Sequence, residues 1–269
     1  MVKFDNNRPR KRSQWLSLLA MTIALGVTSL PSALAQEPII TDRPDYTESV
    51  ETVPPGMTQI EGGYTFTQSD RHNNAQSLGE LLIRTAIGSK SELRIGLNSF
   101  DVGHGENGSN YGLENASLGV KIVLRKGAEG VGLRRPAVSL IALTTLPTGT
   151  EDERGSHFQP TVKLCLGYAL SPRIDLGVNA NYSYVNDGDD RYGEFSPSAS
   201  LGYALTDRVG SFFEYYSFHP FRDQPATYYL NTGMTYLLND NAQLDVRVGS
   251  GLNGPSDDFF IGTGAAVRF

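Results

Sequence analysis

Residues 173 to 185, RIDLGVNANYSYV, alternate without a break. Ile174, Leu176, Val178, Ala180, Tyr182 and Tyr184 share one parity; Arg173, Asp175, Gly177, Asn179, Asn181 and Ser183 share the other. Successive side chains of a β-strand point to opposite faces, so the stretch reads as a strand with one apolar and one polar face. Its length is the tighter constraint. Strands of water-soluble proteins usually run ~5–6 residues, whereas ~11 residues at ~3.3 Å each, tilted ~40°, rise ~28 Å and span a bilayer's apolar band.

The same alternation recurs along most of the chain. It places strands near 56–67, 78–88, 91–102, 113–124, 136–146, 158–170, 173–185, 193–205, 208–218, 226–238, 242–251 and 257–269, about twelve in all. Short connections (SKS at 89–91, SPR at 171–173, TDR at 206–208, NDN at 239–241) alternate with longer polar ones such as 103–112 and 147–157. One link breaks the rule: KGAEGVGLRR, 126–135, is long where a short turn is expected. Short turns on one side and long loops on the other are the pattern of an outer-membrane barrel, with the short turns periplasmic. On the apolar parity, Tyr168, Tyr203, Tyr236 and Phe269 sit at the short-turn ends. Phe66, Tyr182, Tyr184, Phe195, Tyr215, Tyr228 and Phe259 sit at the long-loop ends. Two aromatic belts are what a membrane with two interfaces selects. The fold class expected is all-β: an antiparallel up-and-down transmembrane β-barrel. The mean hydropathy of −0.28 does not oppose this, because alternation hides the apolar face.

The front of the chain supplies the route out of the cell. Lys3, Arg8, Arg10, Lys11 and Arg12 precede an apolar run at 15–30, and Ala33 and Ala35 form a small-residue cleavage site. This reads as a secretory signal, residues 1–35, cleaved after Ala35. Its removal takes five of the 23 basic and one of the 29 acidic residues, leaving a formal net charge of −10. That balance argues against nucleic acid as a partner. Cys165 is the only cysteine, so a disulfide-stapled domain is excluded. The remaining organisation is an N-terminal periplasmic or plug segment, 36–55, and a barrel, 56–269. The segment lacks alternation and carries Pro38, Pro44, Pro54 and Pro55.

The inward parity carries Glu61, Glu80, Arg84, Glu92, Arg94, Lys121, Lys163, Arg173, Asp175, Glu194, Arg208, Glu214, Asp245, Arg247 and Arg268. Facing lipid, Arg or Lys would cost roughly 2–4 kcal/mol at the midplane. Two readings stay open: a salt-bridged lumen that stiffens a narrow barrel, and a charge-lined conduit. Twelve strands give a backbone diameter of ~24 Å, enough for small solutes only. His72, His104, His157 and His219 lie in or beside the long loops, and no G-x-S-x-G elbow is present. An outer-membrane lipid hydrolase is therefore a remote alternative. The acidic loops EDE (151–153) and NDGDD (186–190) read as solvated faces that could also bridge to lipopolysaccharide through divalent ions. No metal site or cofactor is indicated.

Residues 41–66, TDRPDYTESVETVPPGMTQIEGGYTF, resemble the opening of a family of bacterial outer-membrane transport proteins, the "MetA-pathway of phenol degradation" family. Thr41 to Ser49 match its T-D-R-P-D-[FY]-T-E-S stretch. Pro54, Pro55, Gly56, Gln59, Glu61 and Gly63 match its P-P-G-x-x-Q-x-E-x-G approach to the first strand, and LPTG at 146–149 resembles a later strand end. The resemblance implies passive transport of a small solute, with aromatic or hydrophobic compounds as the suggested class; a closed structural or surface-interaction barrel is the alternative. Parity and motif together point to Asp42, Arg43, Asp45 and Glu48 docking into the lumen against Glu61, Glu80, Arg84 and Arg94. The last eight residues, GTGAAVRF, resemble the C-terminal signal read by the barrel-assembly machinery. Gly264, Val267 and Phe269 match it, while Gly262 stands where a polar residue is usual. Outer-membrane lipid, lipopolysaccharide and that machinery are the other partners expected.

Overall fold

A computed structural model describes residues 37–105, 108–150, 157–187 and 190–269. The expected signal and its cleavage site, the acidic stretch 151–153, and Gly188 and Asp189 of the other acidic loop lie outside the described residues. Among those described, fourteen strands form one antiparallel sheet. They are β1 (Thr58–Gln68), β2 (Asn74–Ala86), β3 (Ser91–Gly96), β4 (Phe100–Gly105), β5 (Gly108–Leu113), β6 (Ser117–Arg125) and β7 (Ala137–Thr145). β8 (Gln159–Ser171), β9 (Ile174–Asp187), β10 (Asp190–Ala204), β11 (Val209–Pro220), β12 (Thr227–Asn239), β13 (Ala242–Gly251) and β14 (Phe259–Arg268) follow.

Fourteen strands make twelve staves. β3 and β4 pair with β2 in a single register, Leu82 opposite Gly96 and Leu78 opposite Phe100. β5 and β6 continue the count, Gly96 opposite Ser117 and Phe100 opposite Leu113. Each pair is one stave interrupted, at 97–99 and at 114–116. The ends join between β1 and β14, from Gln59 opposite Arg268 to Gln68 opposite Phe259. Thr58 and Phe269 exchange both backbone bonds at 2.7 and 2.9 Å. Closure removes the unpaired edges that neither lipid nor water would satisfy cheaply.

The molecule is inverted relative to a soluble protein. Glu61, Arg84, Glu92, Lys121 and Glu214 are among its most deeply buried side chains, while Leu124, Phe213, Met234, Val248 and Ile261 are exposed. A lipid-facing wall around a polar interior requires this.

One seam disturbs the alternation. In β2 a bulge sets two residues against Gly62, with Gly79 at φ +106° and Glu80 at φ +41°. Above it, outward positions are one residue out of step with those below. Leu78 and Leu81 are both exposed, as are Leu97 and Phe100, and Leu113 and Leu118. Three neighbouring staves thus shift their facing at one level. A cavity of about 530 Å³ lies there, lined by Thr65, Ser77, Glu80, Leu97 and Ser117 among others. The alternation also ends later than the sequence implied: residues 103–112, read as a loop, form most of the β4–β5 hairpin.

Candidate functional site

The segment before β1 does not extend the sheet. Pro38, Pro44, Pro54 and Pro55 each lack a backbone donor, which suits a chain that need not form a ladder. It crosses the barrel interior, and inward side chains of the wall satisfy its backbone. The Glu61 carboxylate accepts from the amides of Asp42 and Arg43, each at 3.0 Å. Glu92 accepts from Val53 at 2.8 Å. Glu214 accepts from Tyr46 at 3.0 Å and Thr47 at 2.6 Å. Arg84 donates to the carbonyls of Ile40 and Glu51, Arg247 to Pro44, and Arg268 to Glu37.

Side chains bind it further. Asp42 Oδ2 lies 2.6 Å from Arg94, 3.0 Å from Lys121 and 3.3 Å from Arg84. Its other oxygen accepts from the amide and hydroxyl of Ser49, closing the loop between them. Glu48 pairs with Arg94 at 2.7 Å and with Lys163. Glu92 bridges Arg84 and Arg94 at 2.9 and 2.8 Å, and Glu61 meets Arg84 at 3.0 Å. Four carboxylates (Asp42, Glu48, Glu61, Glu92) therefore face four cations (Arg84, Arg94, Lys121, Lys163). Such a cluster persists only when every charge is matched, because removing charges from water costs several kcal/mol per ion. Burial works against the charged form of Asp42, but Arg84, Lys121 and Arg94 outweigh it and hold its carboxyl well below the usual range. Burial likewise opposes Glu48, and Arg94 and Lys163 pull it down.

A second anchor lies across the lumen. Arg43 reaches Glu80 at 2.5 Å and Asp245 at 3.4 Å. Its guanidinium passes over Gly63 and Gly264, where any Cβ would collide with it. The bulge that carries Glu80 aims that carboxylate at Arg43. Asp45 behaves differently from Asp42. Burial and the neighbouring Glu214 carboxylate push its pKa well above the usual range, against a hydrogen bond from Ser200.

Above this level Tyr46 stacks on Tyr216 at 4.8 Å, and Tyr216 on Tyr229 at 4.9 Å. Phe218 packs edge-on to all three rings. Below it, two adjoining hollows of about 330 and 580 Å³ open between the segment and the periplasmic ends of β8 to β12. Gly167, Gly177, Gly202 and Gly210 line that wall.

Glu61, Arg84 and Arg94 thus lie with Asp42 and Glu48, and Glu80 lies with Arg43; Asp45 sits apart from that set, beside Glu214. Glu92, Lys121, Lys163, Glu214, Asp245 and Arg247 complete the contacts. All six stood on the inward parity, and only the path of the segment distinguishes them from the other inward charges. Arg173, Asp175 and Arg208 are exposed at the periplasmic ends. The aromatic column was missed, although Glu214, Tyr216 and Phe218 share a parity. Val267 and Phe269 are exposed on the outer face. Ser217 Oγ lies 3.0 Å from His219 Nε2, yet Ser217 is 1% exposed. That hydroxyl lacks the access of an activated nucleophile.

The model of the family described as "Putative MetA-pathway of phenol degradation" matches residues 41–269. The chain belongs to this family. The matched span takes in most of the luminal segment as well as the wall. The COG4313 outer membrane channel from Pseudomonas putida F1 is similar in structure, with a TM-score of 0.60 at 15% identity, covering 86% of this chain and 100% of that one. The NanC porin follows at 0.52 and 11%, covering 78% and 98%, and the KdgM porin at 0.51 and 10%, covering 78% and 99%. A search of the curated proteins finds no match. These likenesses place the fold among outer-membrane channel barrels.

Proposed function

We propose that this member of the family is a passive outer-membrane channel for small solutes, constricted by residues 37–57. The observation that carries the reading is the segment itself. It crosses the lumen bonded to inward side chains of β1, β2, β3, β6, β8, β11, β13 and β14, with open hollows on either side. A segment that merely stiffened the wall would not need to lie between two cavities. The route runs from the seam cavity to the glycine-walled hollows below. Aromatic or apolar solutes are the favoured class, because the Tyr46–Tyr216–Tyr229 column faces the lumen. A closed, structural barrel is the second reading, favoured by the full matching of the eight buried charges. Export with cleavage after Ala35, and assembly through the C-terminal signal, belong to the first reading and the second alike.

Liposome swelling with charged, neutral and aromatic solutes separates the two. The channel reading expects flux of small solutes in the intact mature protein, and higher conductance in planar bilayers when residues 37–55 are deleted. A folded barrel silent in both forms supports the closed reading. Flux in the intact protein with no change on deletion would remove the segment from its role.

A further inference from the structure

The link between β6 and β7, residues 126–136, is the one long connection at the short-turn rim among the described residues, and its aliphatic side chains take no part in the luminal site. It is an ordered strap. Ala128 N donates to Arg135 O at 2.9 Å, and Gly132 N to Ala169 O of β8 at 2.8 Å. Gly127, Ala128, Gly130 and Gly132 line the larger hollow, together with the charged Glu129, Arg134 and Arg135. Its large aliphatics do not: Val131 is 47% and Leu133 78% exposed, and neither lines the cavity.

Charge around this strap is equally one-sided. Arg125, Lys126, Arg134 and Arg135 are all exposed, and Glu129 is the only acid among residues 125–135. Lys90, from the neighbouring β2–β3 turn, adds a fifth exposed cation, and its carbonyl accepts from Val123 N of β6 at 2.8 Å. Asp70, Asp257 and Asp258 lie in the described loops of the opposite rim, while the other turns of the strap's rim add Asp207 and Asp240. A register shift between Val123 and Arg125 sets Arg125 opposite Val138, on the outward parity of Ile122 and Leu140, so Arg125 stands at the end of the apolar wall.

Exposed aliphatics ringed by cations are the composition of an interfacial membrane contact. Juxtamembrane Lys and Arg are drawn to anionic lipid surfaces. We propose that the 126–136 strap is a lipid anchor: Val131 and Leu133 enter the inner leaflet, and Lys90, Arg125 and Lys126, which lie outside the lining of the hollow, bind anionic phospholipid headgroups. The partner is a glycerophospholipid, since the strap lies on the rim away from the long loops.

The sequence makes the test simple. Its single tryptophan is Trp15, which the expected cleavage removes. Leu133→Trp in the mature chain is then the sole indole reporter. The protein is reconstituted in phosphatidylcholine vesicles with and without phosphatidylglycerol. The expected result is blue-shifted emission, strong quenching by lipids brominated on their acyl chains, and greater quenching when phosphatidylglycerol is present. Arg125→Gln with Lys126→Gln should lower phosphatidylglycerol retained through purification, counted by native mass spectrometry, by roughly fivefold per charge. Water-like emission without quenching overturns the proposal. So does a blue shift that brominated lipid leaves untouched, which would mark a protein contact. Quenching and retention indifferent to phosphatidylglycerol would overturn the headgroup assignment. Heat-modified mobility on gels checks that each variant is folded.

Discussion

At the scale of single residues, two aspartates three positions apart on one segment are held in opposite ways. Asp42 is surrounded by three cations and is ionised throughout the physiological range. Removing it takes a shared counter-charge from Arg84, Arg94 and Lys121, and leaves Lys121 facing the more distant Glu92 carboxylate at 3.9 Å. Loss of one partner from a buried pair costs about 3–5 kcal/mol. Asp42→Ala is therefore expected to lower the midpoint of urea unfolding of the mature barrel clearly, whereas substitution of exposed Asp70 should leave it unchanged. Asp45 has no such surroundings; its nearest charged neighbour is Glu214, a like charge. The sign follows. A carboxyl whose folded pKa is raised favours the docked state at low pH, and that contribution is lost as pH rises through the folded value. Conductance of the wild type should thus climb as pH is raised from about 4, and Asp45→Asn should flatten the climb. A pH response that survives Asp45→Asn would assign it to another group.

This contrast also marks how far the sequence could be read. Parity placed Glu61, Arg84 and Arg94 inward, and the family motif supplied Asp42 and Glu48. Neither carries the distance across the lumen, so Lys121 and Lys163 looked no different from Arg173 or Arg208. Which inward charges belong together depends on where the proline-rich segment runs, a three-dimensional fact with no periodicity behind it.

At the scale of elements, long alternation made the wall legible nearly everywhere. Strand β9 was expected at 173–185 and spans Ile174–Asp187; β13 was expected at 242–251 and spans Ala242–Gly251. The exceptions share one cause. Parity counted from Arg84 put Glu80 inward, yet the bulge at Gly79 and Glu80 breaks that count, and Glu80 meets Arg43 because of the bulge. An isolated glycine inside a strand pattern is a signal for such a feature, but Gly202 and Gly264 offer the same signal in staves where the ladder simply continues. The register across β2 and β3/β4 stays fixed through the interruption, so the strand pairing is preserved while the facing shifts. Bulges re-aim side chains in this way without costing closure of the barrel. The seam is also where the wall carries a cavity, which ties a local irregularity to the route proposed for solute.

At the scale of the whole molecule, the segment and the wall fit asymmetrically. The matched charges tie it chiefly to β1, β2, β3, β6 and β8, and a hollow of about 360 Å³ remains there between the segment, Gln59 and Arg268. Opposite them the wall is stripped of side chains at Gly177, Gly202 and Gly210, and the hollow of about 330 Å³ exists because nothing fills it. Solute can therefore pass beside a docked segment instead of displacing it, and the two routes differ in what blocks them. A Cβ at Gly210 would come within 2.7 Å of Thr235 Oγ1 and of no backbone atom, so a side chain can project into the hollow once that hydroxyl turns aside. Gly210→Phe should cut single-channel conductance several-fold while leaving the unfolding midpoint near that of the wild type. The same substitution in the protein lacking residues 37–55 should matter much less, since the removed segment leaves a wider lumen for solute to use. Equal loss in both backgrounds would mean that the phenyl ring narrows the barrel as a whole. No loss in either would move the path away from this wall, toward the seam side where Arg43 crosses.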